Sequence, residues 1–262
     1  MTNLFNLDNK IAIVTGGSSG LGRSMAKAFA QAGANVIIAD INIENAQKTS
    51  DEIKKLGKQS FSIETDVTHK KDLQNMVEKV VHEFGKIDIL VNSAGIGLGG
   101  SLLLELKEED WDRVIDVNLK GTFLSSQAVA NQMIKQKKGR IINLASMSGS
   151  IVNRSILGFY GGFGVYCTSK AGVILLTKAL AMELIRYNIN VNSISPGYMK
   201  TPLTIGYWES DPAGYKDSMN MTPIGRPGTS DELNGLAIYL ASDSSSFMTG
   251  SDILIDGGYT CW

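Results

Sequence analysis

The chain has 262 residues, with 25 Lys and Arg against 26 Asp and Glu, a formal net charge of -1, 43% apolar residues and 19% charged ones. Charge so nearly balanced gives no basic field for nucleic acid or an anionic membrane, and the apolar fraction is that of a globular protein able to bury a substantial core. The two cysteines, Cys167 and Cys261, form no CxxC pair and no Cys/His cluster, so neither a disulfide framework nor a zinc site is expected.

The first ten residues, MTNLFNLDNK, are polar, and the apolar run IAIV behind them is too short for a signal peptide or a membrane span. The expectation is a soluble, reduced, cytoplasmic protein. Short β-branched runs then alternate with longer stretches of helical period. KIAIVTGG gives way to GLGRSMAKAFAQAG, and NVIIAD to NIENAQKTSDEIKKLG. QSFSIETDV is followed by THKKDLQNMVEKVVHEFG, where Leu73, Val77, Val80 and Phe84 form one helical stripe. Thr68 is the expected N-cap of that helix and Gly85 its C-terminal stop. KIDILVNSAG precedes a proline-free helical stretch from about 107 to 137, and GRIINLAS follows it. The charge runs KEED and KQKK read as solvated helix faces and turns. A helix from Tyr166 to Tyr187, the run INVNSISPG, a helix opened by a Thr229/Glu232 capping box and a last run SDILIDGG complete the order.

Seven apolar strands alternating with amphipathic helices predict an α/β fold: one domain, a doubly wound, seven-stranded parallel sheet with helices on both faces. Residues 203–228, rich in glycine, proline and aromatic side chains, read as a loop or lid over a substrate.

IAIVTGGSSGLG is a strand entering a glycine-rich turn and then a helix. Glycines 16, 20 and 22 allow a sharp turn and a close approach to a pyrophosphate, which the free N–H groups of the helix N-terminus would hold. Gly16, Ser18, Ser19, Gly20, Leu21 and Gly22 are therefore expected at a cofactor. The spacing is TGxxxGxG, so the simple GxGxxG pattern is not matched. Asp40 ends the next strand, where an acid accepts hydrogen bonds from an adenosine ribose and repels a 2′-phosphate. Neither Ser18 nor Ile41 is the cation that such a phosphate requires, so NAD is expected over NADP. The alternative is that the glycines make only a tight turn and that Asp40 caps another.

These residues resemble the short-chain dehydrogenase/reductase family along almost the whole chain. The matching motifs are TGGSSGLG at 15–22, TDV at 65–67, NSAG at 92–95, Asn118 in DVNLKG, Ser146 in INLASMSG, YCTSK at 166–170, SPGYMKT at 195–201 and DGG at 256–258. The resemblance implies a Rossmann-type domain, nicotinamide hydride transfer and a catalytic set of Asn118, Ser146, Tyr166 and Lys170. It further implies Asp66 and Val67 at the adenine, Asn92, Ala94 and Gly95 along the cofactor, and Pro196, Gly197, Met199 and Thr201 at its nicotinamide half and phosphates. Lys170 also holds ribose in this reading, and Asn118 anchors a water chain that returns the proton to solvent.

Tyr166 and Lys170, four residues apart, share one helix face. Lowering a phenol from about 10 to near 7 requires about 4 kcal/mol. A cation about 4 Å away, at an effective dielectric of about 20, supplies a term of that size. Desolvation opposes it, so the positive charge of the oxidised nicotinamide is expected to contribute as well. Tyr166 then takes a proton from a secondary alcohol or returns it to a ketone, while Ser146 stabilises the charge on the reacting oxygen. Taken alone, the pair also reads as an ordinary helix contact. Tyr160, the rival phenol, has Gly164 four residues later and no lysine partner. The long Ser146–Tyr166 segment, with Asn153, Arg154, Phe159, Tyr160 and Phe163, reads either as a pocket wall or as a surface excursion. His69 and His82 read as surface residues and Cys167 as packing. Trp208, Tyr215, Met219 and Met221 read as a substrate cover or as loop packing.

NLASMSGSIVN and DGGYTCW resemble the polyol and sugar-ketone branch, such as arabitol, sorbitol and mannitol dehydrogenases and sorbose reductases. The expected substrate is a small polyol or ketose. Relatives commonly form tetramers, and the apolar ending GGYTCW suits a neighbouring subunit, so a homotetramer is expected. A 3-oxoacyl-carrier-protein reductase shares these motifs and more often uses NADP. A non-catalytic dinucleotide sensor, the reading from another class, is expected to lack the serine, tyrosine or lysine, and all three are present.

Overall fold

The computed structural model describes residues 4–97, 102–152 and 163–261. Strand β1 (Ile11–Thr15) reads IAIVT and is buried along its whole length. Successive side chains of a strand point to opposite faces. Ile11 and Ile13 therefore enter one core with Leu73, Met76, Val80 and Val129, while Ala12 and Val14 enter another with Met25, Phe29 and Leu240. A strand with no polar face must be covered on both sides, and that requirement fixes the layers.

The chain meets it by alternation. After β1 come α1 (Gly20–Gln31), β2 (Asn35–Asp40), α2 (Ile43–Lys55), β3 (Ser60–Glu64), α3 (Lys70–Phe84) and β4 (Ile89–Asn92). Then α4 (Glu108–Ile115) and α5 (Gly121–Gln136) precede β5 (Gly139–Leu144), and α6 (Gly164–Leu184) precedes β6 (Ile189–Pro196). The chain ends through β7 (Met199–Lys200), α7 (Pro202–Ser210), α8 (Pro212–Asn220), β8 (Gly228–Thr229), α9 (Asn234–Ala241) and β9 (Asp252–Ile255). The seven expected strands form one parallel sheet in the order β3-β2-β1-β4-β5-β6-β9, and β7 pairs with β8 apart from it. The order reverses between β1 and β4, the point at which α/β sheets open a crevice at their strand ends.

The helical stretch expected over 107–137 is present without a gap from Glu108 to Gln136, with one irregularity. Between α4 and α5 lies a π-turn, Asp116–Lys120, closed by the Gly121 N–H on the Asp116 carbonyl. The turn places Asn118 inward and fully buried. A Cβ on Gly121 would stand 2.6 Å from Val67 Cγ2, so glycine there lets α5 close onto β3's exit.

Two local expectations need correction. His69, not Thr68, is the N-cap of α3, because the Asp66 carboxylate takes both the Thr68 N–H at 2.8 Å and its hydroxyl at 2.7 Å. The segment 203–228 is not a plain loop but carries α7 and α8, capped by Thr201 and Asp211. Pro202 and Pro212 start these helices, at the position where a missing N–H has no helical partner to lose. Gly85 does end α3 in the left-handed conformation, and Thr229 and Glu232 do form the capping box.

Both histidines are exposed, Cys167 is buried and Cys261 exposed. Gly164–Tyr187 is the one described helical stretch long and apolar enough to cross a membrane by length and composition. Within it, Val173, Thr177, Ala181 and Leu184 of α6 are buried against the rest of the fold. Asn153, Arg154, Phe159, Tyr160 and Trp262 lie outside the described residues.

Candidate active site

A cleft of about 830 Å³ lies at the C-terminal ends of β1, β2, β4, β5 and β6. At one end stands the turn between β1 and α1. Gly16 has φ +65°, and a Cβ there would lie 2.6 Å from the Ala94 backbone nitrogen. A Cβ on Gly22 would lie 2.3 Å from the Gly16 carbonyl oxygen. Glycine at both positions lets three backbone segments meet, a cradle that any side chain would fill. The α1 N-terminus has no side-chain cap and no acidic residue in its first turn, so its N–H groups and dipole are left to an anion. Asp40 crosses the mouth of this turn, accepting from Ser18 N at 3.0 Å and from Asn42 N at 2.9 Å. Ile41 beside it is 70% exposed and offers no positive charge.

The cleft then runs past Asp66, Val67, Ala94 and Gly95 to Ser146, Tyr166 and Lys170, with Pro196, Gly197, Met199 and Thr201 on the other wall. Of the expected site residues, only Asn92 and Asn118 do not line it. Asn92 turns into the sheet, its amide donating to Ser126 Oγ at 2.9 Å and Asn143 Oδ1 at 2.8 Å. Asn118 lies behind the wall and grips the Ile96 peptide from both sides, accepting its N–H at 2.8 Å and donating to its carbonyl at 3.0 Å. A Cβ on Gly95 would stand 3.4 Å from Asn118 Oδ1 and 3.7 Å from Lys170 Nζ, so this glycine lies between the cleft and Asn118 and close beside the lysine that lines it. The Asn118 amide also donates to Ser169 Oγ at 3.1 Å, and Ser169 Oγ donates to the Tyr166 carbonyl at 2.7 Å.

Ser146 is the second residue after β5 and hydrogen-bonds the Tyr166 phenol, which favours its ionised form. Tyr166 keeps part of its surface open to the cleft. Burial of the remainder is the larger effect and pushes the phenol above its ordinary value. Lys170 Nζ sits 5.7 Å from the Tyr166 ring centroid and donates to the Leu144 carbonyl at 2.7 Å. Burial lowers this ammonium to about 8. The desolvation expected to oppose Lys170 is the larger effect among the protein's own groups. The arrangement remains a phenol and a serine hydroxyl converging beside a cation, which can exchange a proton with an alcohol or carbonyl oxygen.

Several lining residues have no signal in the sequence. Glu109, Asp112, Arg113 and Asp116 face the cleft from α4 and the π-turn, although Glu109 belongs to a charge run that reads as a solvated face. Ile96 and Thr204 line it through loop and helix positions that periodicity does not mark. Among the described residues there is no cluster of metal-ligating side chains.

Residues 16–260 match the family described as enoyl-(acyl carrier protein) reductase. The 3-oxoacyl-(acyl-carrier-protein) reductase FabG of Thermotoga maritima is 42% identical over 255 residues, covering 96% of this chain and 98% of that protein. The NAD-dependent glycerol dehydrogenase of Listeria innocua is 37% identical over 256 residues, covering 98% and 96%. The crystal structure of a gluconate 5-dehydrogenase from Burkholderia cenocepacia in complex with NADP and tartrate superposes with a TM-score of 0.92 at 34% identity, covering 99% of this chain and 98% of that one.

Proposed function

The chain belongs to the short-chain dehydrogenase/reductase family, and we propose that it interconverts a polyol and a ketose with NAD(H). The observation that carries the reading is the Ser146–Tyr166 hydrogen bond beside buried Lys170, at the far end of a cleft whose other end is closed by Asp40. The glycine cradle and the uncapped α1 N-terminus fit the pyrophosphate of a dinucleotide.

A nicotinamide dinucleotide bound there supplies the hydride acceptor or donor and, when oxidised, a positive charge. Tyr166 removes the hydroxyl proton of a secondary alcohol, or returns it to a ketone. Ser146 donates to the reacting oxygen and holds its developing charge. Lys170 holds ribose and, with that added positive charge, offsets the desolvation that raises the phenol. Asn118 fixes the Ile96 peptide and stands at the start of the proton relay to solvent. Asp40 accepts from the adenosine ribose and repels a 2′-phosphate, favouring NAD. Residues 203–228 cover the substrate.

Similarity to the Listeria innocua glycerol dehydrogenase supports a polyol. Similarity to the Thermotoga maritima reductase favours a second reading, reduction of a 3-oxoacyl thioester. A panel of pentitols, hexitols, 2-ketoses and 3-oxoacyl thioesters, assayed with both cofactors, decides: NAD-linked polyol oxidation is expected, and NADPH-linked thioester reduction alone would overturn it. A homotetramer belongs to the same proposal, supported by Phe123, Leu175 and Met182, which leave an apolar face of α5 and α6 in solvent. Sedimentation is expected to give four times the chain mass.

A further inference from the structure

The two walls of the cleft are strapped together just beyond the catalytic phenol. On one side α7 supplies Leu203 and Thr204 to the lining. Tyr207 is four and three residues further on, so it shares their helix face. Its hydroxyl crosses to the Gly97 carbonyl at 3.3 Å. Gly97 directly follows Ile96, which lines the opposite wall and is locked by Asn118. The Tyr207 ring also meets Phe163 edge-on, with centroids 6.4 Å apart and planes at 73°. Phe163 is the N-cap of α6, three residues before Tyr166. One side chain therefore ties α7 both to the end of the Ala94–Gly97 wall and to the turn that delivers the phenol.

α7 has little else to hold it. None of its nine residues is buried. Trp208 packs on Tyr215 with ring centroids 5.0 Å apart, which joins α7 to α8 rather than to the sheet domain. The Thr201–Thr204 capping box fixes only its first turn.

We infer that Tyr207 is a specificity-determining residue: by strapping α7 to Gly97 and Phe163, it closes the cleft beyond Tyr166 and selects compact polyols and ketoses over substrates with a long chain. The inference rests on the alcohol–ketone reading above. A compact substrate lies wholly inside the strap, whereas an acyl chain on a reacting 3-oxo group must leave through the place the strap occupies. The phenol–carbonyl bond and the ring contact are separable, since Tyr207→Phe removes the first and Tyr207→Ala removes both.

The test measures kcat/KM of wild type and both variants on a ketose and on 3-oxobutanoyl and 3-oxodecanoyl N-acetylcysteamine thioesters. Tyr207→Ala is expected to move the ratio of long thioester to ketose upward by at least about tenfold, and Tyr207→Phe by less. Ratios unchanged in both variants would overturn the strap. NADH binding and limited chymotrypsin cleavage are read in parallel. Binding is expected to hold while cleavage within 203–221 accelerates in Tyr207→Ala. Should wild type turn over none of the substrates, the alcohol–ketone reading fails alone, and unchanged cleavage of Tyr207→Ala would separately defeat the strap.

Discussion

Lys170 Nζ donates to the Leu144 carbonyl at 2.7 Å, which ties a buried ammonium to the strand end that delivers Ser146. A single neutral acceptor does not replace the water lost on burial, and the ammonium falls to about 8 from 10.5. The unfolded chain therefore binds more protons between those two values, so this group makes stability rise with pH through that window. Below pH 8 the charged form costs the fold about 3 kcal/mol. Lys170→Met is accordingly expected to be more stable than wild type at pH 7, by about 1–2 kcal/mol once the orphaned Leu144 carbonyl is counted. The gain should shrink as pH rises from 8 toward 10.5, while alcohol oxidation falls at least a hundredfold or so. Urea unfolding at pH 7 and pH 9.5 checks this, and a variant less stable than wild type at pH 7 would refute it.

Tyr166→Phe keeps the ring that packs beneath Lys170 and removes the oxygen held by Ser146. Turnover is expected to drop on the order of a thousandfold, the usual size of a lost acid–base group. NADH affinity, read by fluorescence titration, should change by no more than about twofold, because the cradle at Gly16 and Gly22 is untouched. Full activity in this variant would remove the phenol from the mechanism.

Asp40 has two jobs that can be separated. Its carboxylate oxygens hold the Ser18 and Asn42 N–H groups, and in the proposed reading its charge repels a 2′-phosphate. Asp40→Asn keeps one acceptor and removes the charge, so it is expected to raise the NADP-to-NAD ratio of kcat/KM by about tenfold or more. Asp40→Ala should move the ratio further while also lowering thermal stability, because both turn N–H groups lose their partner. A wild type that prefers NADP would end this assignment of Asp40.

The fold was legible because the sheet is buried on both faces. β1 reads as an almost wholly apolar run that only a covered sheet accommodates, while β5 and β6 are buried along their whole length although polar residues such as Asn143 and Asn192 interrupt their apolar pattern. The Tyr166–Lys170 pairing was legible for a local reason, four residues on one helix. Asn118 and Ser146 reach the same place from distant elements, so periodicity alone could not unite them, and the family motifs did. What stayed hidden follows from long-range packing. The π-turn at 116–120 has no propensity signature; it exists where Gly121 closes on Val67 and Asn118 grips Ile96. The two-residue strands β7 and β8 fall below any pattern length. The prolines of 202 and 212 read as loop punctuation, although each opens a helix. The sequence names the desolvation that opposes Lys170 at the Tyr166 phenol, but its size depends on the burial that only the packed fold supplies.

Glycines 22 and 206 lie in helices and should respond to alanine in opposite directions. On Gly22 a Cβ would stand 2.3 Å from the Gly16 carbonyl and 2.9 Å from Ser93 Oγ. The Ser93 hydroxyl can rotate away. The Gly16 carbonyl cannot, since Gly16 is in the left-handed region and its own N–H is fixed to the Ala39 carbonyl at 2.9 Å. The clash is therefore relieved only by moving α1 off β1, and Gly22→Ala is expected to cost about 1–3 kcal/mol and to weaken NADH binding. On Gly206, in the middle of α7, a Cβ meets nothing within 4 Å and φ is ordinary. There alanine removes only the backbone freedom of the unfolded chain, and Gly206→Ala should stabilise by up to about 1 kcal/mol. For a chain of this size that is a rise of about 2–4 °C in Tm if α7 melts with the rest. A helix held mainly by Tyr207 can also melt first, in which case the gain shows as slower chymotrypsin cleavage in 203–221 at unchanged Tm. Destabilisation by Gly206→Ala in both measurements would mean that α7 is packed more tightly than its exposed residues indicate.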